Sequence, residues 1–270
     1  MDRSRQYDFI ADLYDGYPGN YLEDIVFFVE EAKRIGGPVL EVGVGTGRLA
    51  FCLASVGLDV VGIDSSAEML RVMKRKEKAV GSTQGRVQVL AADMRQFSLW
   101  RRFRMAIVAF RTFLYLLTRA DQLRMLRTLR PHLEPDGLLA MSFFVPPKAL
   151  LERKRTEPCE MTRFSAPDGD GEIVAIDWTE FVPESSRLIS HIAYEWRDES
   201  ARTVRRLERT LEARYVFPKE MPSLLQEAGY EVVHAYGGFD RSPLGEHARE
   251  QIWFAKPMKE IANSKRRESR

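Results

Sequence analysis

The stretch of the 270-residue chain best suited to hold a ligand is residues 39–47, an apolar run that ends in an acid and continues with three alternating glycines. The acid is Glu41, and the glycines are Gly43, Gly45 and Gly47. Because glycine has no Cβ, backbone N–H groups in such a turn can approach a ligand closely. A second apolar run ends in Asp64, where a mononucleotide-binding βαβ unit places the acid that binds ribose hydroxyls. The pattern indicates a nucleoside-binding site.

The spacing of the glycines bears on which nucleotide is bound. The dinucleotide fingerprint needs its third glycine three residues after its second, whereas only Thr46 separates Gly45 from Gly47. This spacing disfavours a nicotinamide-linked oxidoreductase, which stays open as an alternative enzyme class.

Four motifs, in order, resemble those of class I S-adenosylmethionine (SAM) dependent methyltransferases. They are residues 39–47, 60–66, 91–94 and 129–137. The resemblance covers about residues 5–145 well and about 215–257 more loosely. It implies an enzyme of class EC 2.1.1 that binds SAM and transfers its methyl group. A non-catalytic regulatory protein that binds SAM stays open as an alternative.

The resemblance also implies roles for individual residues in cofactor binding. Glu41 would face the SAM ammonium group, Asp64 would accept hydrogen bonds from both ribose hydroxyls, and Asp93 would accept one from the adenine amino group. The Met94 N–H would donate to an adenine ring nitrogen, and the Phe110 carbonyl would accept from the ammonium group. The whole expected set is Tyr14, Glu41, Gly43, Gly45, Gly47, Asp64, Ser65, Met69, Asp93, Met94 and Phe110.

The amino-terminal segment is rich in tyrosine and resembles the lead-in that folds over the cofactor in small-molecule methyltransferases. A tyrosine ring attracts a sulfonium to its face, and its hydroxyl can hydrogen-bond a carboxylate. Tyr17 lies in this segment, and Tyr115 follows the fourth predicted strand, where substrate pockets open. Packing in a core is the alternative for each tyrosine. With His191 as a general base, Tyr17 and Tyr115 are the expected catalytic residues.

The residues after the fourth predicted strand bear on the acceptor class. DNA amino-methyltransferases carry Asp/Asn-Pro-Pro-aromatic there and arginine methyltransferases carry paired glutamates, whereas this chain has Phe110-Arg111-Thr112-Phe113. The region 171–217 and the loop 236–240 instead resemble methyltransferases of sugar amines, amino acids and natural-product intermediates. The expected acceptor is therefore an N or O atom of a small molecule.

Composition and residue spacing bear on the protein's partners and on its location in the cell. A net charge of +2, from 41 basic and 39 acidic residues, gives no electrostatic basis for binding nucleic acid. No apolar run reaches the length of a membrane helix, and the four histidines have no metal-ligand spacing, so neither a membrane nor a metal is expected. Two cysteines and the lack of a secretory apolar segment favour the cytoplasm.

Alternating strands and helices up to about residue 145 predict a Rossmann-like, doubly wound α/β fold. We expect a mostly parallel seven-stranded sheet with an antiparallel final strand. Predicted helices begin at an Asn20 cap, covering 20–34, and at a capping box with Ser65 as N-cap. The fifth strand is predicted over 137–145.

Period-two alternation over three segments, 171–183, 186–198 and 201–217, predicts an inserted antiparallel meander. The predicted domains are a SAM-binding core, an inserted β lobe and a disordered basic tail. They cover residues 1–150 with 217–258, 151–216, and 259–270, respectively. The lobe would either roof the acceptor pocket or form the subunit contact of a homodimer.

Overall fold

The computed structural model describes residues 6–16, 21–166, 171–246 and 248–259. Helices α1 to α6 are Glu23–Ile35, Arg48–Ser55, Ala67–Val80, Arg119–Leu129, Lys148–Arg153 and Met221–Glu227. Strands β1 to β11 are Val39–Val42, Val60–Asp64, Val87–Ala91, Phe103–Val108, Leu133–Phe144, Cys159–Ser165, Glu172–Val182, Arg187–Arg197, Thr203–Arg214, Tyr230–Tyr236 and Glu250–Pro257. Short 3-10 helices include Asp8–Ile10, Tyr14–Gly16 and Thr112–Tyr115.

Seven strands form one sheet in the order β10-β11-β5-β4-β1-β2-β3. The pairs from β5 to β3 are parallel, and β11 is antiparallel to both of its neighbours. The chain first builds outward from β1 to β3 and then returns to β4 on the other side of β1. Ligands of open α/β sheets bind beyond the carboxyl ends of the strands at such a reversal. The predicted fold class is confirmed.

The central strands are buried on both faces, which explains why they read as continuous apolar runs. On β1, Val39 belongs to the core beneath α1 and α2, whereas Leu40 belongs to the core beneath α4 and α6. Alternation of side chains along a strand sends neighbouring residues to opposite faces. The two cores cover both faces of the sheet, which leaves the turns at its carboxyl edge as the place where a ligand can bind.

The remaining four strands form a separate antiparallel sheet in the order β6-β7-β8-β9, called the roof sheet below. Three of these strands correspond to the predicted meander. The fourth, β6, was not predicted. It is a mostly exposed edge strand, and its alternation of apolar and polar residues is broken between Thr162 and Arg163, so only two short runs remain. The inner face of the roof sheet packs on Ile10 and Leu13 of the amino-terminal segment through Ile192 and Leu211.

Several predicted boundaries need correction. Helix α1 begins at Glu23, and Asn20, its predicted cap, lies outside the described residues. Helix α3 is capped by Ser66 rather than Ser65, since the Ser66 hydroxyl accepts from the Met69 N–H at 3.1 Å. Strand β5 starts at Leu133, before the predicted position.

Two predicted features cannot be located in this structure. Tyr17 and residues 260–270 lie outside the described part of the chain, so a role for Tyr17 and disorder of the basic tail stay predictions. Within the described part, no helix is long and apolar enough to cross a membrane, and no group of three potential metal ligands occurs.

Candidate active site

The glycine turn after β1 is tied to the end of β2 by backbone and side-chain hydrogen bonds. The Gly43 N–H donates to the Ile63 carbonyl at 2.8 Å. One Asp64 carboxylate oxygen accepts from the Gly45 N–H at 2.9 Å, and the other accepts from the Ser66 N–H at 2.8 Å. A carboxylate has about four lone-pair sites, so each oxygen of Asp64 can still accept a hydrogen bond from a ligand hydroxyl. Burial raises the pKa of Asp64, although these amides oppose the shift.

A cavity of about 400 Å³, called the cofactor cavity below, lies against this turn. Most of the predicted cofactor-binding residues line it: Tyr14, Gly43, Gly45, Asp64, Ser65, Met69, Asp93, Met94 and Phe110. Motifs separated by up to about a hundred positions in the sequence therefore converge on a single space, as the resemblance implied.

Two predicted cofactor residues do not line this cavity. Gly47 has φ of +82°, and a Cβ there would meet Phe51 at 2.7 Å and Met73 at 2.9 Å, so its role is packing between α2 and α3. Glu41 is buried, and its Oε2 atom has no hydrogen-bond partner in the described structure. Burial raises the pKa of Glu41 to about 8, with Arg48 opposing the shift. An orphaned buried carboxylate oxygen is suited to a cationic group of a ligand.

Asp93 lies at the expected end of the cofactor cavity, but its carboxylate already has a partner. The Arg95 guanidinium lies 2.6 Å from one Asp93 oxygen, and the Arg95 N–H donates to the other at 2.8 Å. These hydrogen bonds lower the pKa of Asp93. Sequence reasoning missed Arg95, which lines the same cavity. An adenine amino group would share the Asp93 carboxylate with this guanidinium.

Residues 6–16, called the strap below, cover the cofactor cavity. Polar contacts fix the strap to the core: Asp8 accepts from the Ser66 hydroxyl, and Asp15 accepts from the Thr46 hydroxyl at 2.6 Å. Tyr14 of the strap lines the cavity, and burial raises the pKa of its hydroxyl. The strap thus occupies the position that the tyrosine-rich lead-in predicts.

A second cavity of about 570 Å³, called the acceptor cavity below, adjoins the first. The two cavities share the side chains of Tyr7, Tyr14, Phe110 and Tyr115. All four strands of the roof sheet contribute to the lining of the acceptor cavity, among them Met161, Thr179, Phe181, Ser190, Ile192, Leu211 and Ala213. An aromatic wall therefore separates two spaces of ligand size.

The acceptor cavity contains three carboxyl groups that sequence reasoning missed: Asp24, Asp177 and Glu250. Asp24 is 1% exposed and forms a buried ion pair with Arg48. Burial raises the pKa of Glu250 to about 7. Two sequence features could have revealed Asp24 and Glu250. Asp24 is an acid on the apolar face of α1, and Glu250 is an acid at the start of the buried strand β11.

The structure corrects the assignment of His191 as general base. Ser190 and Ile192 on either side of it point into the acceptor cavity, so His191 points to the opposite face of β8. There its ring stacks on Trp178, with centroids 4.9 Å apart. Tyr115, by contrast, lies in the wall between the two cavities.

The fold agrees with comparisons to known proteins. Residues 39–137 match a methyltransferase domain family. The chain is 25% identical over 226 residues to the putative methyltransferase YqeM of Bacillus subtilis, which covers 82% of this chain and 85% of that protein. It is 27% identical over 195 residues to the dTDP-3-amino-3,6-dideoxy-alpha-D-glucopyranose N,N-dimethyltransferase of Streptomyces fradiae, covering 67% of this chain and 74% of that protein. The CcbJ methyltransferase structure from Streptomyces caelestis superposes with a TM-score of 0.77 and 26% identity, covering 95% and 99% of the two chains.

Proposed function

We propose that the chain is a class I SAM-dependent methyltransferase that methylates the amine of a small molecule held in the acceptor cavity. The observation that carries the proposal is the adjacency of the two cavities across a shared aromatic wall. A methyl donor in one cavity and a nucleophile in the other meet only at that wall.

The residues of the cofactor cavity fit SAM. Asp64 offers free lone pairs to ribose hydroxyls, and the orphaned Glu41 oxygen suits the ammonium group. At Gly45 the nearest atom to an added Cβ would be Met69 Cε at 3.6 Å, so the turn leaves room for a ligand at its surface. When bound, SAM would supply a methyl carbon activated by its sulfonium. The acceptor nucleophile would attack that carbon in line, and the thioether would leave with the electrons of the carbon–sulfur bond.

The protein's own contribution is alignment and exclusion of water. Tyr7, Tyr14, Phe110 and Tyr115 form the wall between the cavities, and aromatic faces attract a sulfonium. The strap covers one cavity and the roof sheet covers the other. Holding two reactants in a near-attack geometry accounts for a large share of the rate enhancement in such a reaction.

The charges in the acceptor cavity favour an amine over an alcohol. Arg48 offsets the charge of Asp24, and Arg111 also lines the cavity, so the attraction for a cationic ammonium group comes from Asp177 and Glu250. A neutral hydroxyl gains little from these carboxyl groups. The Streptomyces fradiae relative is named for an amino-sugar substrate, which supports the same preference. An amino sugar or a similarly small amine is the acceptor we propose.

In this proposal the roof sheet covers the acceptor cavity, which is the first of the two roles predicted for the inserted lobe. Its inner face lines the acceptor cavity, which supports the division into a core of residues 1–150 and 217–258 and a lobe of 151–216. A homodimer and a cytoplasmic location stay predictions from the sequence.

The test is a methylation assay with SAM and paired acceptors, followed by mass spectrometry of the products. The first probe is dTDP-3-amino-3,6-dideoxyglucose, and its matched control is the sugar nucleotide with a 3-hydroxyl group. We expect mass gain only on the amine. Methylation of the hydroxyl compound alone would reverse the proposed acceptor class. SAM binding by calorimetry without methylation of any amine in a broad panel would favour a non-catalytic SAM-binding protein.

A further inference from the structure

We infer that Glu250 is the general base that takes the proton from the acceptor amine, where the acceptor cavity meets an open groove. The inference rests on the proposed N-methylation and adds a catalytic residue to it. The residues expected from the sequence to do acceptor chemistry were Tyr17, Tyr115 and His191, and the face of β8 that carries His191 points away from the acceptor cavity.

Glu250 has a fixed position at the edge of the core sheet. It is the first residue of β11 and pairs with Phe144 at the end of β5. Its backbone N–H donates to the Gly237 carbonyl at 3.3 Å. A side chain at the end of a sheet strand is held more precisely than one on a loop, which suits a group that must meet a substrate atom.

The position of Glu250 also lies on a route into the acceptor cavity. An open groove of about 1270 Å³ runs between the first half of α1 and residues 237–246 and 248–249. Tyr21, Phe239 and Glu250 line both this groove and the acceptor cavity, so the two spaces meet at these residues. An acceptor that enters from the groove passes the Glu250 carboxyl group, and a proton taken there can leave to solvent by the same path.

Of the three acids in the acceptor cavity, Glu250 is the one available to a ligand. The Asp24 carboxylate accepts from both terminal nitrogens of Arg48, one of them at 3.0 Å, which neutralises it. Asp177 also has an interaction of its own. The Glu250 carboxyl group has no hydrogen bond or ion pair with another described residue. An incoming ammonium therefore displaces no existing partner there.

The groups that face Glu250 set its protonation. Burial raises its pKa to about 7, Arg111 opposes the shift, and Asp24 and Glu23 of α1 add to it. Tyr21 lies beside it, and burial raises the pKa of that hydroxyl, with the charge of Glu250 adding to the shift. A base is most effective when its pKa is near the working pH, because it is then both deprotonated and basic enough.

The step balances as follows. The ammonium form of the acceptor gives one proton to the Glu250 carboxylate, which leaves a neutral amine with a free lone pair. That lone pair forms a bond to the methyl carbon of SAM, and the carbon–sulfur bond breaks with its electrons going to sulfur. The products are S-adenosylhomocysteine and the N-methylated ammonium, and Glu250 releases its proton to solvent.

The experiment compares Glu250→Gln, Glu250→Asp and the wild type, with Glu231→Gln as control for loss of an exposed carboxylate on the neighbouring strand β10. We measure kcat and kcat/KM for dTDP-3-amino-3,6-dideoxyglucose between pH 5.5 and 9, and SAM affinity by calorimetry. Wild-type activity should fall as the pH drops through about 7. In Glu250→Gln, kcat should fall by a factor on the order of 10² and the inflection should vanish. Glu250→Asp should keep the inflection, and SAM affinity should not change.

A second readout needs no turnover. Infrared difference spectra of the wild type against Glu250→Gln should show a carboxyl band that titrates near pH 7 and is missing in the variant. The absence of such a band, or a Glu250→Gln variant with the wild-type pH profile, would overturn this inference alone. Failure of the wild type to methylate any amine would overturn the proposed function and the inference together.

Discussion

The hydroxyl groups of Tyr7 and Tyr115 hydrogen-bond to each other in the wall between the cofactor cavity and the acceptor cavity. Their rings pack edge to face, with centroids 5.3 Å apart. Tyr7 lies in the strap, and Tyr115 ends the 3-10 helix that follows β4. The contact therefore joins the cover of the site to the edge of the core sheet at the place where the methyl group must cross.

The variant Tyr115→Phe tests this contact. It keeps the ring in the wall and removes one hydrogen bond, which we expect to lower the free energy of unfolding by about 1 kcal/mol. Turnover should fall several-fold because the strap is held less firmly, whereas the SAM dissociation constant should stay within about twofold, since this hydroxyl does not contact the glycine turn. Steady-state kinetics and calorimetry give the two values.

His191→Gln is the matched control, because it changes a polar side chain on the outer face of the roof sheet, away from both cavities. Its turnover should equal that of the wild type. A loss of turnover in His191→Gln as large as in Tyr115→Phe would show that the roof sheet affects the reaction through its packing rather than through the shared wall.

Asp64→Ala tests the ribose contact. The substitution removes the Asp64 carboxylate. That group accepts hydrogen bonds from the Gly45 and Ser66 amides and has two further lone pairs for a ligand. Loss of a charge-assisted hydrogen bond should weaken SAM binding by about 1.5–3 kcal/mol. Asp59→Ala is the control, because Asp59 also caps a backbone amide, that of Arg86, just before β2 begins. Calorimetry showing equal SAM affinity in both variants would rule out the ribose role.

Glu41→Gln should change stability and ligand affinity in opposite directions. The pKa of Glu41 in the folded state is about 8, above the ordinary value of 4.5. Between these two pKa values the folded state holds a proton that the unfolded state has released. The free energy of unfolding therefore falls as pH rises from about 4.5 to 8, by at most about 1.4 kcal/mol per pH unit. Without this group, the variant should be more stable than the wild type at pH 8, by urea unfolding of the ligand-free protein.

The same variant should bind SAM more weakly, because a neutral amide cannot pair with the ligand's ammonium group. Calorimetry at pH 8 measures this loss. If Glu41→Gln gains stability and keeps full SAM affinity, Glu41 is a buried residue without a role in cofactor binding.

The cofactor half of the site was predictable because its signal is local. A few consecutive residues are enough to predict the turn after one strand or the acid at the end of the next. Neighbouring parallel strands then bring these two features together, because their carboxyl ends lie at the same edge of the sheet. The acceptor half joins α1, β7, β8 and β11, which are distant in the sequence. No short pattern could place Asp24 beside Glu250, since only the packing of α1 against the core sheet brings them together.

The errors have equally physical causes. Strand β6 is a mostly exposed edge strand whose period-two alternation is interrupted between Thr162 and Arg163, which leaves runs too short to predict a strand. His191 was placed in the right strand but on the wrong face. Which alternate residues of a strand point inward depends on which face of the sheet packs against other residues. Ile192 and Tyr194 pack inward with the strap, and that fixes His191 on the other side.

Two glycines of the same turn should separate ligand binding from stability. Both have positive φ, so alanine at either position costs about 1–2 kcal/mol of backbone strain. At Gly45 an added Cβ meets only Met69 Cε at 3.6 Å and points to the cofactor cavity. Gly45→Ala should therefore lose SAM affinity with little further loss of stability.

At Gly47 the added Cβ meets Phe51 and Met73 below 3.0 Å, so overpacking adds about 1–3 kcal/mol to the strain. Gly47→Ala should show the larger drop in melting temperature and, at a temperature where it is folded, the higher SAM affinity of the two variants. Thermal unfolding and calorimetry on both proteins test this order. The reverse order would place Gly47, rather than Gly45, against the bound cofactor, as the glycine motif alone had allowed.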